Sequence, residues 1–180
     1  VNRENILILP KRLQNRRLQA VRELRVKSVW NGELEVSEEL MEAVARLKGL
    51  KVVGMSTVGM STVGMSTTNL SSLDPGLLAR LVASLEEVDM SYTLLIGQQL
   101  KAILTVISSG DSRLKKLSIS VDNLSTLDLG LLTSAVNRLE EVFLWGLDLT
   151  VKQWEEVITA IGEGDSRLKK FNIENINLSE

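Results

Sequence analysis

Apolar residues recur along this chain in a fixed order with polar residues between them. Reading L-x-x-L-x-L-x-x-x-x-L, the pattern occurs at Leu85/Val88/Met90/Leu95, Leu114/Leu117/Ile119/Leu124, Leu139/Val142/Leu144/Leu149 and Leu168/Phe171/Ile173/Leu178. Its fourth and sixth positions alternate with polar neighbours, the period of two expected of a short strand with one buried face. A polar turn follows, and then apolar residues at helical spacing. These are Leu77, Leu78, Leu81 and Val82; Leu100, Ile103, Leu104 and Ile107; Leu131, Leu132, Ala135 and Val136; and Trp154, Val157, Ile158 and Ile161. Gly110, Gly162 and Gly164 mark helix ends. The predicted unit is strand, turn, helix, turn.

The unit repeats. Leu85-Glu86-Glu87-Val88 returns as Leu139-Glu140-Glu141-Val142, and Leu114-Lys115-Lys116-Leu117 as Leu168-Lys169-Lys170-Phe171, each 54 residues later. Residues 85–113 and 139–167 share 12 of 29 positions, including all of Gly-Asp-Ser-Arg at 110–113 and 164–167. Units therefore start at about 24, 50, 85, 114, 139 and 168. No single unit can bury its own leucines, so each must pack on the next. The pattern resembles the leucine-rich repeat family. The unit lengths resemble its ribonuclease-inhibitor-like subclass, and the repeats are most similar to those of NOD-like receptors. The resemblance covers residues 24–180. It implies an α/β fold, a curved leucine-rich-repeat solenoid with a parallel sheet on the concave face and helices on the convex face. It also implies protein recognition, as in the ligand-sensing repeats of an intracellular innate-immune receptor. The sequence departs from the family where its usual asparagine stands at the ninth position: here Thr93, Asp122, Leu147 and Ile176 occupy it, and Asn69, Asn123 and Asn177 come one step later.

Some stretches break the pattern. Residues 1–23 do not repeat; they carry Ile6-Leu7-Ile8-Leu9, Pro10 and the basic residues Lys11, Arg12, Arg16, Arg17 and Arg22. An N-terminal cap over the first unit is expected of an exposed leucine-rich end, and a basic arm for an acidic partner is the alternative. Within 53–67 the pentapeptide Val-Gly-Met-Ser-Thr occurs in triplicate, a ten-residue excess over a normal unit. It reads as a tolerated duplication or as a loop that reaches ligand. The pattern stops at Glu180 after a strand and before its helix, as expected of a fragment.

Composition narrows the chemistry. Of 180 residues 44% are apolar but only 3% aromatic, so leucine has to fill the interior. There is no cysteine and no histidine, which removes thiolate catalysis, the commonest general base and the commonest metal ligands. No enzyme, cofactor or metal site is expected. A net charge of −2 provides no field for nucleic acid. No apolar run reaches the roughly 18 residues that span a bilayer, and the lack of cysteine points to the cytoplasm. The sequons at Asn69, Asn123 and Asn177 share one repeat position, which reads as repeat chemistry. Gly-Asp-Ser, twice at one repeat position with no base to activate it, reads as a turn. Glu155 and Glu156 read as solvated helix face, and Trp154, one long period after Leu100, as core.

Two features remain as candidate contacts. Glu86/Glu87, Lys115/Lys116, Glu140/Glu141 and Lys169/Lys170 fall in successive units, where stacked strands would set opposite charges side by side. They serve either as a self-compensating ladder or as ligand contacts. With the fourth and sixth positions buried, the fifth and seventh point outward: Ser28/Trp30, Asp89/Ser91, Ser118/Ser120, Phe143/Trp145 and Asn172/Glu174. Three of the six aromatics lie there and Tyr92 lies one step beyond. Large aromatics on a polar face suit binding anchors. The candidate partner-binding residues are Trp30, Tyr92, Phe143, Trp145, Asp89 and Glu174, for a protein ligand on the concave face and neither nucleic acid nor membrane. The alternative is a structural or autoinhibitory solenoid, with that face packed against another part of the same protein.

Overall fold

The computed structural model describes residues 21–28, 34–47, 49–57, 68–91, 93–120, 128–146, 148–163, 165–174 and 177–179. In chain order the elements begin with β1 (Glu23–Ser28), β2 (Leu34–Glu35), α1 (Glu38–Ala45), β3 (Val52–Thr57), β4 (Thr68–Asn69) and α2 (Pro75–Ser84). Then come β5 (Glu87–Met90), β6 (Thr93–Leu94), α3 (Gly97–Ser109), β7 (Lys116–Ser120) and α4 (Leu129–Val136). The chain closes with β8 (Glu141–Trp145), β9 (Asp148–Thr150), α5 (Val151–Glu163), β10 (Lys170–Glu174) and β11 (Asn177–Ser179).

The main sheet has six strands in the order β1-β3-β5-β7-β8-β10, every neighbouring pair parallel. Each strand thus pairs with the main strand of the next unit, as the repeat requires. Short second strands run alongside, β2-β4-β6 in one set and β9-β11 in another. The alternation seen in sequence sets the two faces. Val88, Met90, Leu117, Ile119, Val142 and Leu144 are all buried, at 2% exposure or less, while the residues between them are half-buried. The buried face meets the helices, and each helix packs on the next one in the chain.

Local chemistry explains the helix limits. Asp74 and Asp128 cap α2 and α4, each accepting from a backbone N–H three residues on (Leu77 at 2.7 Å, Leu131 at 3.2 Å). Pro75 follows Asp74 in the first turn. Ser37 caps α1 in the same way from Leu40. Gly110 closes α3 in the left-handed region at φ 87°. Gly162, expected at a helix end, lies inside α5, which runs one residue further; Gly164 is outside the described residues. Asn69 Oδ1 accepts from the backbone N–H and hydroxyl of Ser71 (2.9 and 2.7 Å), a turn bond that explains one Asn-Leu-Ser repeat by backbone chemistry.

Two details differ from the sequence reading. In the first unit, Leu24 pairs with Val53 and Arg25 with Gly54. Arg25 therefore holds the outward row expected for Ser28, three residues later. Val21-x-x-Leu24-x-Val26 fits the apolar pattern, whereas a start at Leu24 would put Lys27 at a buried position. The second difference is in α5. Val157 is buried, but Trp154 and Ile161 are only partly covered and Ile158 is 45% exposed. Leu104, its equivalent one long period earlier, is 1% exposed. The next helix packs on α3, and among the described residues no further helix packs on α5. Trp154 instead stacks on Phe171, ring centroids 6.2 Å apart.

The ten-residue excess shows in the pairing. Gly54 pairs with Asp89 and Thr68 with Thr93, so 14 positions in one unit do the work of four in the next. The extra residues, 58–67, lie outside the described residues. Deleting ten residues of the triplicate should leave the other units folded, with the melting temperature equal or higher, because a connection of four positions in place of 14 costs about 1 kcal/mol less closure entropy. A cooperative loss of helical circular dichroism on deletion would show that the extra copies are packed.

The charge pairs form the expected ladder. Glu87, Lys116, Glu141 and Lys170 are register partners. Lys116 reaches Glu141 at 2.9 Å, Lys115 reaches Glu86 at 3.3 Å and Lys169 reaches Glu140 at 2.8 Å. Lys51, which the sequence reading did not include, joins from the other side of Glu86. Hydrogen bonds from Lys51 and then Lys115 lower the pKa of Glu86, and one from Lys169 lowers that of Glu140. A hydrogen bond to Glu141 raises that of Lys116. The carboxylate contributions are thus present at neutral pH and lost as pH falls through the lowered pKa values. The lysine contribution is lost only as pH rises past the ordinary lysine range. The melting temperature should hold across neutral pH and fall below roughly pH 4.5, and the double variant Glu86→Gln/Glu140→Gln should melt with a flatter acid limb. An unchanged limb would mean these pairs leave stability untouched.

Candidate functional site

The face of the main sheet turned away from the helices carries the candidate residues. Its first row runs Arg25, Gly54, Asp89, Ser118, Phe143, Asn172 across the strands, and its second row includes Ser120, Trp145 and Glu174. Phe143 and Trp145 alternate with Val142 and Leu144 on β8, which sends the two rings to this face together. Both are half-buried, with ring centroids 5.5 Å apart and planes tilted by 36°. That separation lies in the favourable range for aromatic pairs.

Around the rings the side chains are small or polar. Ser118 and Ser120 stand beside them on β7, and Asn172 and Glu174 on β10, with Glu174 exposed next to Trp145. The rings therefore rise between a shallow serine floor on one side and a polar rim on the other. Asp89 shares the row of Phe143 but sits beyond Ser118, and its Oδ1 accepts from the N–H of Ser91 at 3.1 Å. The structure brings Phe143, Trp145 and Glu174 together and sets Asp89 two strands from Phe143. Trp30 and Tyr92 lie outside the described residues.

At the far end of the face Arg25 makes a bridge the sequence reading missed. Its Nη2 reaches Glu87 at 3.1 Å, two strands away, and its Nε also pairs with Glu23. Gly54 lies between them: a Cβ there would stand 3.3 Å from Arg25 Cγ, so the missing side chain leaves room for the arginine to cross. Those two hydrogen bonds raise the pKa of Arg25. The glycine belongs to the repeated pentapeptide, and nothing in its spacing distinguishes this role.

The repeated serines are occupied by turns. Ser112 Oγ accepts from the N–H of Leu114 at 3.1 Å, and Ser166 Oγ from that of Leu168 at 3.2 Å. Among the described residues no group of three or more acidic side chains is placed to hold a metal ion, and no helix is long and apolar enough to cross a membrane. The chain matches no family model, no curated protein and no solved structure. The arrangement offers contact area, with two rings and a polar surround.

Proposed function

We propose that this chain is a protein-recognition module of the leucine-rich-repeat type, a curved solenoid that binds a protein partner on the sheet face carrying Phe143 and Trp145. The observation that carries the reading is the half-exposed aromatic pair on an otherwise polar face, on a strand whose alternate residues already fill the core. Aromatic anchors ringed by polar groups are the usual energetic centre of a protein interface. The sequential parallel sheet supports the repeat reading, because each unit presents the same outward rows to one continuous surface. A role in the sensing region of an intracellular innate-immune receptor follows from the resemblance of the repeats, and it is part of this proposal.

The test is capture of a partner by the wild-type chain, by Phe143→Ala/Trp145→Ala and by Lys101→Glu on the exposed side of α3. A partner held by wild type and Lys101→Glu but lost by the double variant supports the reading. Equal capture by all of them removes the partner from the sheet face.

A further inference from the structure

Arg25, Arg46, Lys51, Lys115, Lys116 and Lys169 all reach a carboxylate within 4 Å. Arg113, Arg138 and Arg167 do not. They occupy one repeat position, immediately before the opening leucines Leu114, Leu139 and Leu168 of three successive units. The stacking brings them together where helices end and strands begin. Arg113 donates its backbone N–H to Ala83 (3.2 Å) and Arg167 to Asn137 (3.0 Å), each anchored to an earlier unit. All three line one cavity of about 240 Å³, together with Gly110 and Ser112. Among the described residues none of the three guanidinium groups makes a hydrogen bond or ion pair.

The surroundings do not neutralise them. Lys115 on the cavity wall is paired with Glu86 at 3.3 Å and brings no counter-charge. Among the described residues Glu140 is the one carboxylate on that wall, and it is held by Lys169 at 2.8 Å. Asp111, in the turn beside it, accepts from the hydroxyl of Ser109 at 3.0 Å. Gly110 lines the cavity beside the Arg138 guanidinium. A Cβ there would stand 2.8 Å from Arg138 Nη1, and the φ of 87° suits glycine in any case.

We propose that this edge binds a small anion carrying adjacent phosphate groups, held by Arg113, Arg138 and Arg167. Guanidinium groups are planar forks that pair bidentately with phosphate oxygens and stay charged at every working pH. Gathering three guanidinium groups that no carboxylate reaches within 4 Å is unfavourable, and that repulsion is relieved when an anion enters. A single carboxylate would offset only one of these cations, whereas linked phosphates bring a charge comparable to all of them. The site lies away from Phe143 and Trp145 and stands independently of the recognition face.

The probe is inorganic pyrophosphate, titrated into the full chain by calorimetry at constant ionic strength. Saturable binding is expected, weakened by about tenfold or more in Arg138→Gln, since each charged hydrogen-bond partner is worth that much. Arg113→Gln and Arg167→Gln should each weaken it too, and Lys101→Gln should leave it unchanged. These single variants carry the test if Arg138→Gln does not fold by circular dichroism. A nucleoside diphosphate run in parallel distinguishes bare phosphates from phosphates on an organic carrier, and either one binding through the arginines supports the site. No saturable heat with either ligand, equal affinity in every arginine variant, or equal competition by chloride at the same ionic strength overturns it.

Discussion

Gln99→Met should destabilise the chain by about 3 kcal/mol, although it exchanges one helical side chain for another of similar length and volume. Gln99 is fully buried in the first turn of α3. Its Oε1 accepts from the N–H of Ile96 at 3.1 Å, which satisfies a donor at the start of the helix. Its Nε2 donates to the carbonyls of Leu70 at 2.6 Å and Leu73 at 2.7 Å, both in the preceding unit. One side chain thus caps its own helix and ties it to the loop before α2. The carbonyl of Leu70 also accepts from Leu73 N–H, so methionine leaves two groups without a described partner, the Ile96 N–H and the Leu73 carbonyl. At roughly 1 kcal/mol for each of the three hydrogen bonds that Gln99 makes the total is near 3. For a chain of this length that corresponds to a fall of about 6 to 12 °C in melting temperature.

The control is built into the repeat. Gln153 stands 54 residues later at the same position, and its Oε1 accepts from Thr150 N–H at 2.9 Å. It is half-exposed, so water can replace the lost partner, and Gln153→Met should shift stability by about 1 kcal/mol or less. Thermal melts of both variants decide the matter. A Gln99→Met melt within about 2 °C of wild type would mean that α3 is held by its leucines alone and the staple is incidental.

Such a residue shows where sequence reading reaches its limit. Apolar periodicity reports which side of an element is buried, and it located Val88, Met90, Leu117, Ile119, Val142 and Leu144 correctly. Repeated charge pairs placed opposite signs in neighbouring strands, and the register brings them together. Periodicity says nothing about whether a neighbour arrives to cover a face. Ile158 follows the same helical pattern as Leu104, yet it is exposed. Polar residues carry even less signal. A glutamine on a helix ordinarily faces water, so the identity of Gln99 and Gln153 across the repeat was the one available hint. The same holds for Arg113 and Arg167, which were visible only as the end of a turn motif. In the first unit Leu24 is apolar like an opener, but the start at Val21 alone keeps Lys27 off a buried position, and the pairing of Leu24 with Val53 agrees with it.

On β8, neighbouring substitutions should give opposite results. Leu144 is 1% exposed and packs into the core, so Leu144→Ala should cost about 2 to 5 kcal/mol of stability. Phe143 and Trp145 flank it on the half-exposed face and touch each other. Truncating both rings to alanine should change stability by only about 1 kcal/mol, because both positions lie on the half-exposed face and outside the buried core. If this face holds the partner, the same double change should weaken binding by roughly 30-fold or more, equivalent to about 2 kcal/mol for the loss of an aromatic hot spot. Affinity and melting temperature, measured on the same preparations, separate the two roles of the strand. A double variant that unfolds would make the rings part of the core. A stable double variant with undiminished affinity would place recognition elsewhere on the molecule, because these are the largest side chains the described part of the face presents.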